Sequence, residues 1–149
     1  MLNHVYHIIA TLGFTGYIPY APGTFATAIG FFIILLIRPS DAVLLLLTVP
    51  VIIAGTVSAH QSEKVLGKDS GHIVIDEFCG YLVSVILIPK SPGYLIAAFI
   101  LFRLFDIYKP SPIHRIESTI SGGAGIMLDD LLAGVFTNIC LQVWRAVSG

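Results

Sequence analysis

The chain has 149 residues, of which 56% are hydrophobic and only 11% are charged, and its mean hydropathy is +0.89. A soluble domain carries about 25% charged residues, so much of this surface is expected to face lipid rather than water. The net charge of −1 excludes a basic field for binding nucleic acid, and the length suits one domain, 1–149.

The N-terminal part is predicted to lead into the first apolar helix. Residues 1–20 lack the lysine or arginine that opens a cleavable signal peptide, so none is expected. The segment Tyr20–Phe25 is a turn with Thr24 as the natural N-cap, although Thr27 can share that role. The backbone N–H groups at such a helix start either bind an anion or are simply capped.

Five apolar segments follow, and short polar stretches separate them. They are Phe25–Ile37, Ala42–Ala59, Phe78–Ile88, Tyr94–Phe102 and Ile126–Val143. Only Ala42–Ala59 approaches the length of about 20 residues that spans a bilayer, so the others must tilt, break or be buried in protein. Strict alternation of apolar and polar residues is absent. The sequence therefore predicts an all-α fold, a compact multi-helical bundle that is membrane-embedded with short or broken transmembrane helices.

The loops indicate an orientation in the membrane. If each apolar segment crosses or dips into the bilayer once, the N-terminal loop, Gln61–Glu77 and Arg103–Gly125 fall on one side. The cations on that side are Lys64, Lys68, Arg103, Lys109 and Arg115, and those on the other side are Arg38, Lys90 and Arg145. The excess of positive charge predicts that the first side faces the cytoplasm.

Acidic residues are concentrated at three places beside apolar residues. These are the pair Asp76-Glu77, the single Asp106 and the pair Asp129-Asp130. Ionised groups next to hydrocarbon cost several kcal/mol unless they are paired or bind an ion, and hard divalent cations prefer such oxygen ligands. Adjacent acids on a helix point about 100° apart, so one of each pair is expected to face the site. The alternative is that these acids are helix caps and ion pairs.

Arg103, Asp106 and Lys109 share one helix face by their spacing, and Pro110 is expected to end that helix. They offer two phosphate-binding cations beside a carboxylate, or else an ordinary row of surface ion pairs. Further on, Gly122-Gly123-Ala124-Gly125 is expected to precede the last helix, either for close approach to a head group or as a flexible turn. Asp129 and Asp130 are then expected in the first turn of that helix.

Four motifs in register resemble the phosphatidylglycerophosphatase A family of bacteria along nearly the whole chain. The motifs are Ala21–Thr24, Ile73–Phe78, Phe102–Pro110 and Gly122–Asp130. The resemblance implies an all-helical, Mg²⁺-dependent enzyme of the bacterial inner membrane that hydrolyses phosphatidylglycerophosphate to phosphatidylglycerol and phosphate. The partner would then be the phospholipid substrate. Together with the loop assignment, we expect a multi-pass protein whose active site faces the cytoplasm. The net charge argues against a nucleic-acid partner, and no obligate protein partner is evident from the sequence.

The resemblance also implies roles for particular residues. The metal and catalytic carboxylates would be Asp76, Glu77, Asp106, Asp129 and Asp130, and the substrate-binding residues would be Gly23, Thr24, Arg103 and Lys109. From the chemistry of the residues themselves, either Asp129 or Glu77 is expected to act as general base for direct attack by water, with an aspartyl-phosphate intermediate as the alternative. Two alternatives remain at this point: a membrane transporter or binding protein for Mg²⁺ or protons that uses the same carboxylates, and a non-enzymatic membrane assembly protein.

Overall fold

A computed structural model describes residues 2–68 and 70–149, without the side chains of Leu2, Ile116 and Glu117. The described residues form seven α-helices, a short 3-10 helix at Thr15–Tyr17, and no strand. The helices are α1 (Leu2–Ala10), α2 (Pro22–Ile37), α3 (Asp41–Leu66), α4 (Ile75–Ser84), α5 (Pro92–Tyr108), α6 (Ile113–Thr119) and α7 (Gly122–Ser148). The predicted all-α fold is confirmed.

Helix α7 lies at the centre of the bundle and packs against α3, α4, α5 and α6. One apolar core surrounds Tyr81 and Phe102, both fully buried, and the Tyr81 hydroxyl donates to the Leu95 carbonyl at 3.0 Å. A second core surrounds Cys79 and Met127. Together the two cores fix α4 between α7 and its other neighbours.

Two helices are long and apolar enough to cross a membrane, judged by length and composition alone. They are α3, with 26 residues, and α7, with 27. The expectation that only Ala42–Ala59 has such a length is therefore wrong, because α7 starts four residues earlier than predicted and continues to Ser148. Pro50 lies inside the unbroken α3. Helix α4 has 10 residues, about 15 Å, which is too short to span a bilayer.

The crossing of α4 and α7 is unusually close. A Cβ added to Gly134 would lie 2.3 Å from the Gly80 carbonyl oxygen, and one added to Gly80 would lie 2.6 Å from the Asp130 carbonyl oxygen. Only glycine allows two helix backbones to approach to this extent. This crossing sets how the acidic residues of α4 face those of α7.

The two ends of the bundle differ in charge. At one end Asp41 accepts hydrogen bonds from Lys90 Nζ (2.7 Å) and from the Leu87 N–H (2.9 Å), while Arg145 donates to the Leu87 carbonyl (3.2 Å). At the other end lie the end of α3, the start of α4, the end of α5 and the start of α7. All five candidate carboxylates belong to that second end.

Candidate active site

Three carboxylates from two helices converge beside the α4–α7 crossing. Asp76 and Glu77 lie in the first turn of α4 and Asp130 lies on α7, and each offers an oxygen within 4.8 Å of the others. In each residue one buried oxygen has no hydrogen-bond partner among the described residues: Asp76 Oδ1, Glu77 Oε2 and Asp130 Oδ2. Buried carboxylate oxygens are costly without a partner, and this oxygen-only donor set fits a hard divalent cation.

Burial and mutual repulsion dominate the electrostatics of this cluster. Burial raises the pKa of Asp76 well above its usual value, and the neighbouring Glu77 raises it further. Burial also raises the pKa of Glu77. Both residues precede the apolar part of α4. A cation bound among them would reverse both effects, because it would stabilise the ionised carboxylates.

The adjacent acids Asp129 and Asp130 have different surroundings. Asp129 Oδ2 accepts a hydrogen bond from Lys109 Nζ at 2.7 Å, and its Oδ1 accepts one from the Asp130 N–H at 3.0 Å. Asp130 faces Asp76 and Glu77 instead. Helix geometry alone does not decide which member of the pair faces the cluster, and the structure places Asp130 there and Asp129 against the lysine.

Helix α5 contributes the predicted row of Arg103, Asp106 and Lys109. The Arg103 guanidinium pairs with Asp106 Oδ2, three residues on, and Lys109 caps the helix in a left-handed conformation with φ of 42°. Asp106 and Lys109 line the cavity beside the three carboxylates, whereas Arg103 is not among the described residues that line it. Contact between Arg103 and a phosphate therefore stays a prediction.

The carboxylates open into a cavity of about 510 Å³. This volume is within the range of roughly 300–1,000 Å³ that is typical of ligand pockets. Its polar lining includes acids from three helices, cations and several hydroxyl groups. The residues are Lys68, Ser70, Asp76, Glu77, Asp106, Lys109, His114, Ser118, Thr119, Ser121, Asp129 and Asp130, together with glycines and isoleucines between them.

The expectation that Thr24 is the N-cap of α2 is wrong. The helix begins at Pro22, with Ala21 as the N-cap in a left-handed conformation, because proline suits the first helical position, where no N–H partner is needed. Gly23 is buried, and a Cβ there would lie 2.1 Å from Glu77 Oε1. The start of α2 therefore packs directly behind Glu77. Substrate binding by Gly23 and Thr24 stays a prediction.

The glycine-rich segment 122–125 forms the first turn of α7 rather than a turn before it, so that expectation is also wrong. A Cβ at Gly123 would lie 2.4 Å from the Thr56 carbonyl oxygen, and one at Gly125 would lie 2.1 Å from the Ile120 carbonyl oxygen. These glycines let α7 approach α3 and its own preceding loop. Asp129 and Asp130 consequently lie in the third turn of the helix and not in the first.

Several polar residues that line the cavity were not among the predicted site residues. Lys68 and Ser70 lie in the loop between α3 and α4, and His114 lies on α6. None of them has a motif spacing of its own. The loop charges predict Lys68 on the same side of the membrane as the acids, and this is the one sequence pattern that points to it.

The fold and the site define an all-helical protein with a cavity whose clustered carboxylates could hold a metal ion and whose wall also carries a lysine bonded to Asp129. Such a site suits hydrolysis of a phosphate ester. The family model of phosphatidylglycerophosphatase A matches residues 8–145. The chain belongs to this family, which confirms the resemblance drawn from its motifs and places it among the hydrolases that act on phosphoric monoesters.

Three bacterial relatives cover nearly the whole chain. A Haemophilus influenzae phosphatidylglycerophosphatase A is 35% identical over 97% of this chain and 92% of its own length. The Escherichia coli protein of the same name is 34% identical, over 91% and 81%. A Bacteroides thetaiotaomicron protein that is provisionally named a phosphatidylinositol-3-phosphatase is 35% identical, over 91% and 90%. No solved structure matches the chain significantly.

These comparisons separate the functional alternatives. The family and the names of two relatives support a phosphatase, and neither the transporter nor the assembly-protein hypothesis gains support. The positions of the acids agree with this result, because they lie together at one end of the bundle rather than along its length. A transport path would require ion-binding groups at several depths of the bilayer.

Proposed function

We propose that this protein hydrolyses the terminal phosphate monoester of phosphatidylglycerophosphate, with Mg²⁺ as cofactor, to give phosphatidylglycerol and phosphate. The observation that carries the proposal is the convergence of Asp76, Glu77 and Asp130 within 4.8 Å, each with an unpartnered buried oxygen. Membership of the family supplies the substrate, since two relatives are named for it.

Magnesium is the cation that suits this donor set best. The three clustered residues, Asp76, Glu77 and Asp130, offer only carboxylate oxygens and none of the thiolates or imidazoles that favour zinc or copper. Mg²⁺ binds through few carboxylates and keeps several water molecules. The cavity of about 510 Å³ leaves room for those waters and for a phosphate group.

Different side chains of the cavity would bind the cation, contact the phosphate and accept the proton of the attacking water. Asp76, Glu77 and Asp130 would hold the cation, with Asp106 and Asp129 as further ligands on the same wall. A bound Mg²⁺ would offset charge on the phosphoryl oxygens and lower the pKa of a coordinated water. Arg103 fixes the Asp106 carboxylate through their ion pair.

Two further groups act on the phosphate and on the attacking water. Lys109, held on the cavity wall by Asp129 at 2.7 Å, is placed to contact a phosphoryl oxygen as a point charge. Asp129 or Glu77 would take the proton of the water as general base, since both line the cavity.

The bacterial inner membrane is the proposed location, with several crossings and the cavity facing the cytoplasm. Helices α3 and α7 supply the length for two crossings. The polyacidic end of the bundle also carries five of the eight lysine and arginine residues, which favours the cytoplasmic side. A site at this boundary lets the acyl chains stay in the bilayer while the phosphate reaches the carboxylates.

Phosphate release from the purified protein in detergent tests the proposal. We expect turnover of phosphatidylglycerophosphate with Mg²⁺, loss of turnover with EDTA, and recovery when Mg²⁺ is restored. Phosphatidylinositol 3-phosphate is the comparison substrate, because one relative carries that name. A folded protein that releases no phosphate from phosphatidylglycerophosphate would refute the proposal, and faster release from the inositol lipid would reassign the substrate.

A further inference from the structure

The cavity is larger and more varied in charge than a site for one phosphate and its cation requires. Its acidic wall is formed by α4, α5 and α7, which carry Asp76, Asp106 and Asp130. Another part of its lining, the loop between α3 and α4, presents Lys68 and Ser70 instead. The cavity lining therefore combines clustered carboxylates with a loop that contributes a lysine and a hydroxyl group.

Lys68 differs from the other lysine of the cavity. Lys109 is bonded to Asp129 at 2.7 Å, so part of its charge is already compensated. In the part of the chain that the structure describes, Lys68 makes no ion pair, and its side chain is exposed. Its ammonium group can therefore bind an anionic group of the ligand without first breaking an ion pair with a carboxylate.

Ser70 adds a hydrogen-bond donor on the same loop. Its hydroxyl oxygen accepts the His72 N–H at 3.4 Å, which leaves the hydroxyl proton to be donated elsewhere. A lysine and a hydroxyl two residues apart form a pair that suits a singly charged phosphate oxygen. The same pair would contribute little to binding a divalent cation, because an ammonium group repels it.

The proposed substrate carries two phosphate groups. A three-carbon glycerol unit joins the terminal monoester, which is hydrolysed, to the phosphodiester, which stays with the lipid. The diester keeps its negative charge throughout the reaction. Because the glycerol unit is short, the diester must lie near the carboxylates of the cavity while the monoester is next to their cation. The diester therefore needs a positive group other than that cation.

We infer that Lys68 and Ser70 form a subsite for the phosphodiester of the substrate. This inference rests on the proposed function and adds a specificity-determining contact to it. The diester binds at the α3–α4 loop while the monoester lies against the acidic wall. The subsite favours lipids with a charged diester next to the monoester over simple phosphate monoesters.

Steady-state kinetics of Lys68→Ala on phosphatidylglycerophosphate tests the subsite. The diester is the same in the ground state and the transition state. Loss of its contact with Lys68 should therefore raise KM and leave kcat unchanged. We expect KM to rise about fivefold, which corresponds to the upper end of the range for an exposed ion pair. The inhibition constant for inorganic phosphate, which mimics only the monoester, should stay at the wild-type value.

Two matched variants accompany Lys68→Ala. Lys64→Ala removes the same charge one turn earlier on α3, where the lysine bonds Gln61 and is not among the described residues of the cavity wall, and it should leave KM unchanged. Lys68→Arg keeps the charge and should keep KM close to wild type.

The possible outcomes separate this inference from the proposed function. An unchanged KM for Lys68→Ala would overturn the subsite, as would a parallel rise in the inhibition constant for inorganic phosphate, which would place Lys68 on the monoester. An equal rise in KM for Lys64→Ala would show that KM responds to surface charge in general, and it would also overturn the subsite. A wild-type protein that releases no phosphate would refute the proposed function before any variant is compared.

Discussion

Asp130 lies among carboxylates, whereas its chain neighbour Asp129 lies against a lysine. The Asp130 oxygen Oδ2 is buried and has no partner among the described residues, so its charge is opposed by Asp76 and Glu77. A residue in such a position favours metal binding and disfavours the folded protein without metal. The two properties can be measured separately.

Asp130→Asn should lower phosphate release by at least about 100-fold, more than the 10- to 100-fold that is typical of losing an outer partner of a metal ligand. The metal-free variant should unfold roughly 2 to 4 °C above wild type, because about 1 kcal/mol of repulsion is removed. Added Mg²⁺ should raise the unfolding temperature of wild type and not that of the variant. Thermal unfolding in detergent, with and without Mg²⁺, measures both effects.

Glu63→Gln is the control for that experiment, since it neutralises a carboxylate on α3 that is not among the described residues of the cavity wall. It should keep both activity and the response to Mg²⁺. Near-wild-type activity of Asp130→Asn would remove this residue from the metal site.

Gly23→Ala should weaken metal binding without touching a ligand. The added Cβ would lie 2.1 Å from Glu77 Oε1, so the Glu77 side chain must move away from its present position. We expect the Mn²⁺ dissociation constant, measured by electron paramagnetic resonance, to rise about 10- to 100-fold, as for other residues that orient a ligand.

Gly93→Ala provides a matched control, because Gly93 also follows a proline at a helix start and a Cβ there meets nothing within 4 Å. It should bind Mn²⁺ like wild type. Equal affinities in Gly23→Ala and wild type would show that the start of α2 does not position Glu77.

At the scale of the helices, the site depends on how α4 crosses α7. Gly134→Ala would place a Cβ 2.3 Å from the Gly80 carbonyl oxygen, and backbone atoms cannot rotate away as a side chain can. We expect a loss of about 1 to 3 kcal/mol in stability. The unfolding temperature should fall by roughly 3 to 10 °C, together with weaker Mn²⁺ binding. An unchanged unfolding temperature would mean that the crossing tolerates a wider separation.

The helices that the sequence predicted well are those with long apolar segments. Helices α2, α3, α5 and α7 each contain a predicted segment, because hydrophobicity alone distinguishes them. Helix α6 was missed, since its seven residues carry no apolar run, and α1 was not distinguished from the N-terminal loop. The early start of α7 was hidden by its glycines, which usually indicate a turn and here allow close packing on α3.

The sequence predicts which residues form the acidic cluster, but not which of them faces the cluster and which pairs with a cation. The acids stood out because carboxylates beside apolar residues require a compensating partner. Which of Asp129 and Asp130 faces the cluster depends on the rotation of α7 about its axis, and that rotation is set by contacts such as Gly134 with Gly80. Lys68 has no sequence pattern of its own, and only the folded loop between α3 and α4 brings it to the cavity.

For the whole molecule, the orientation in the membrane can be tested by labelling single cysteines. In a background without Cys79 and Cys140, Lys64→Cys should react with an impermeant thiol reagent only after the inner membrane is opened. Ser91→Cys, near the Asp41–Lys90 pair at the opposite end, should react in intact spheroplasts. The reverse pattern would place the cavity on the periplasmic side.

Gly134, where α7 crosses α4, divides α7 into a short part that carries Asp130 and a longer part that carries Arg145. Asp130 is four residues from Gly134, about 6 Å along the helix, whereas Arg145 is eleven residues away, about 16 Å. When a thinner or thicker bilayer tilts α7 about this pivot, the far end moves nearly three times as far as the metal ligand. We therefore expect turnover to vary little with the acyl-chain length of the surrounding lipids.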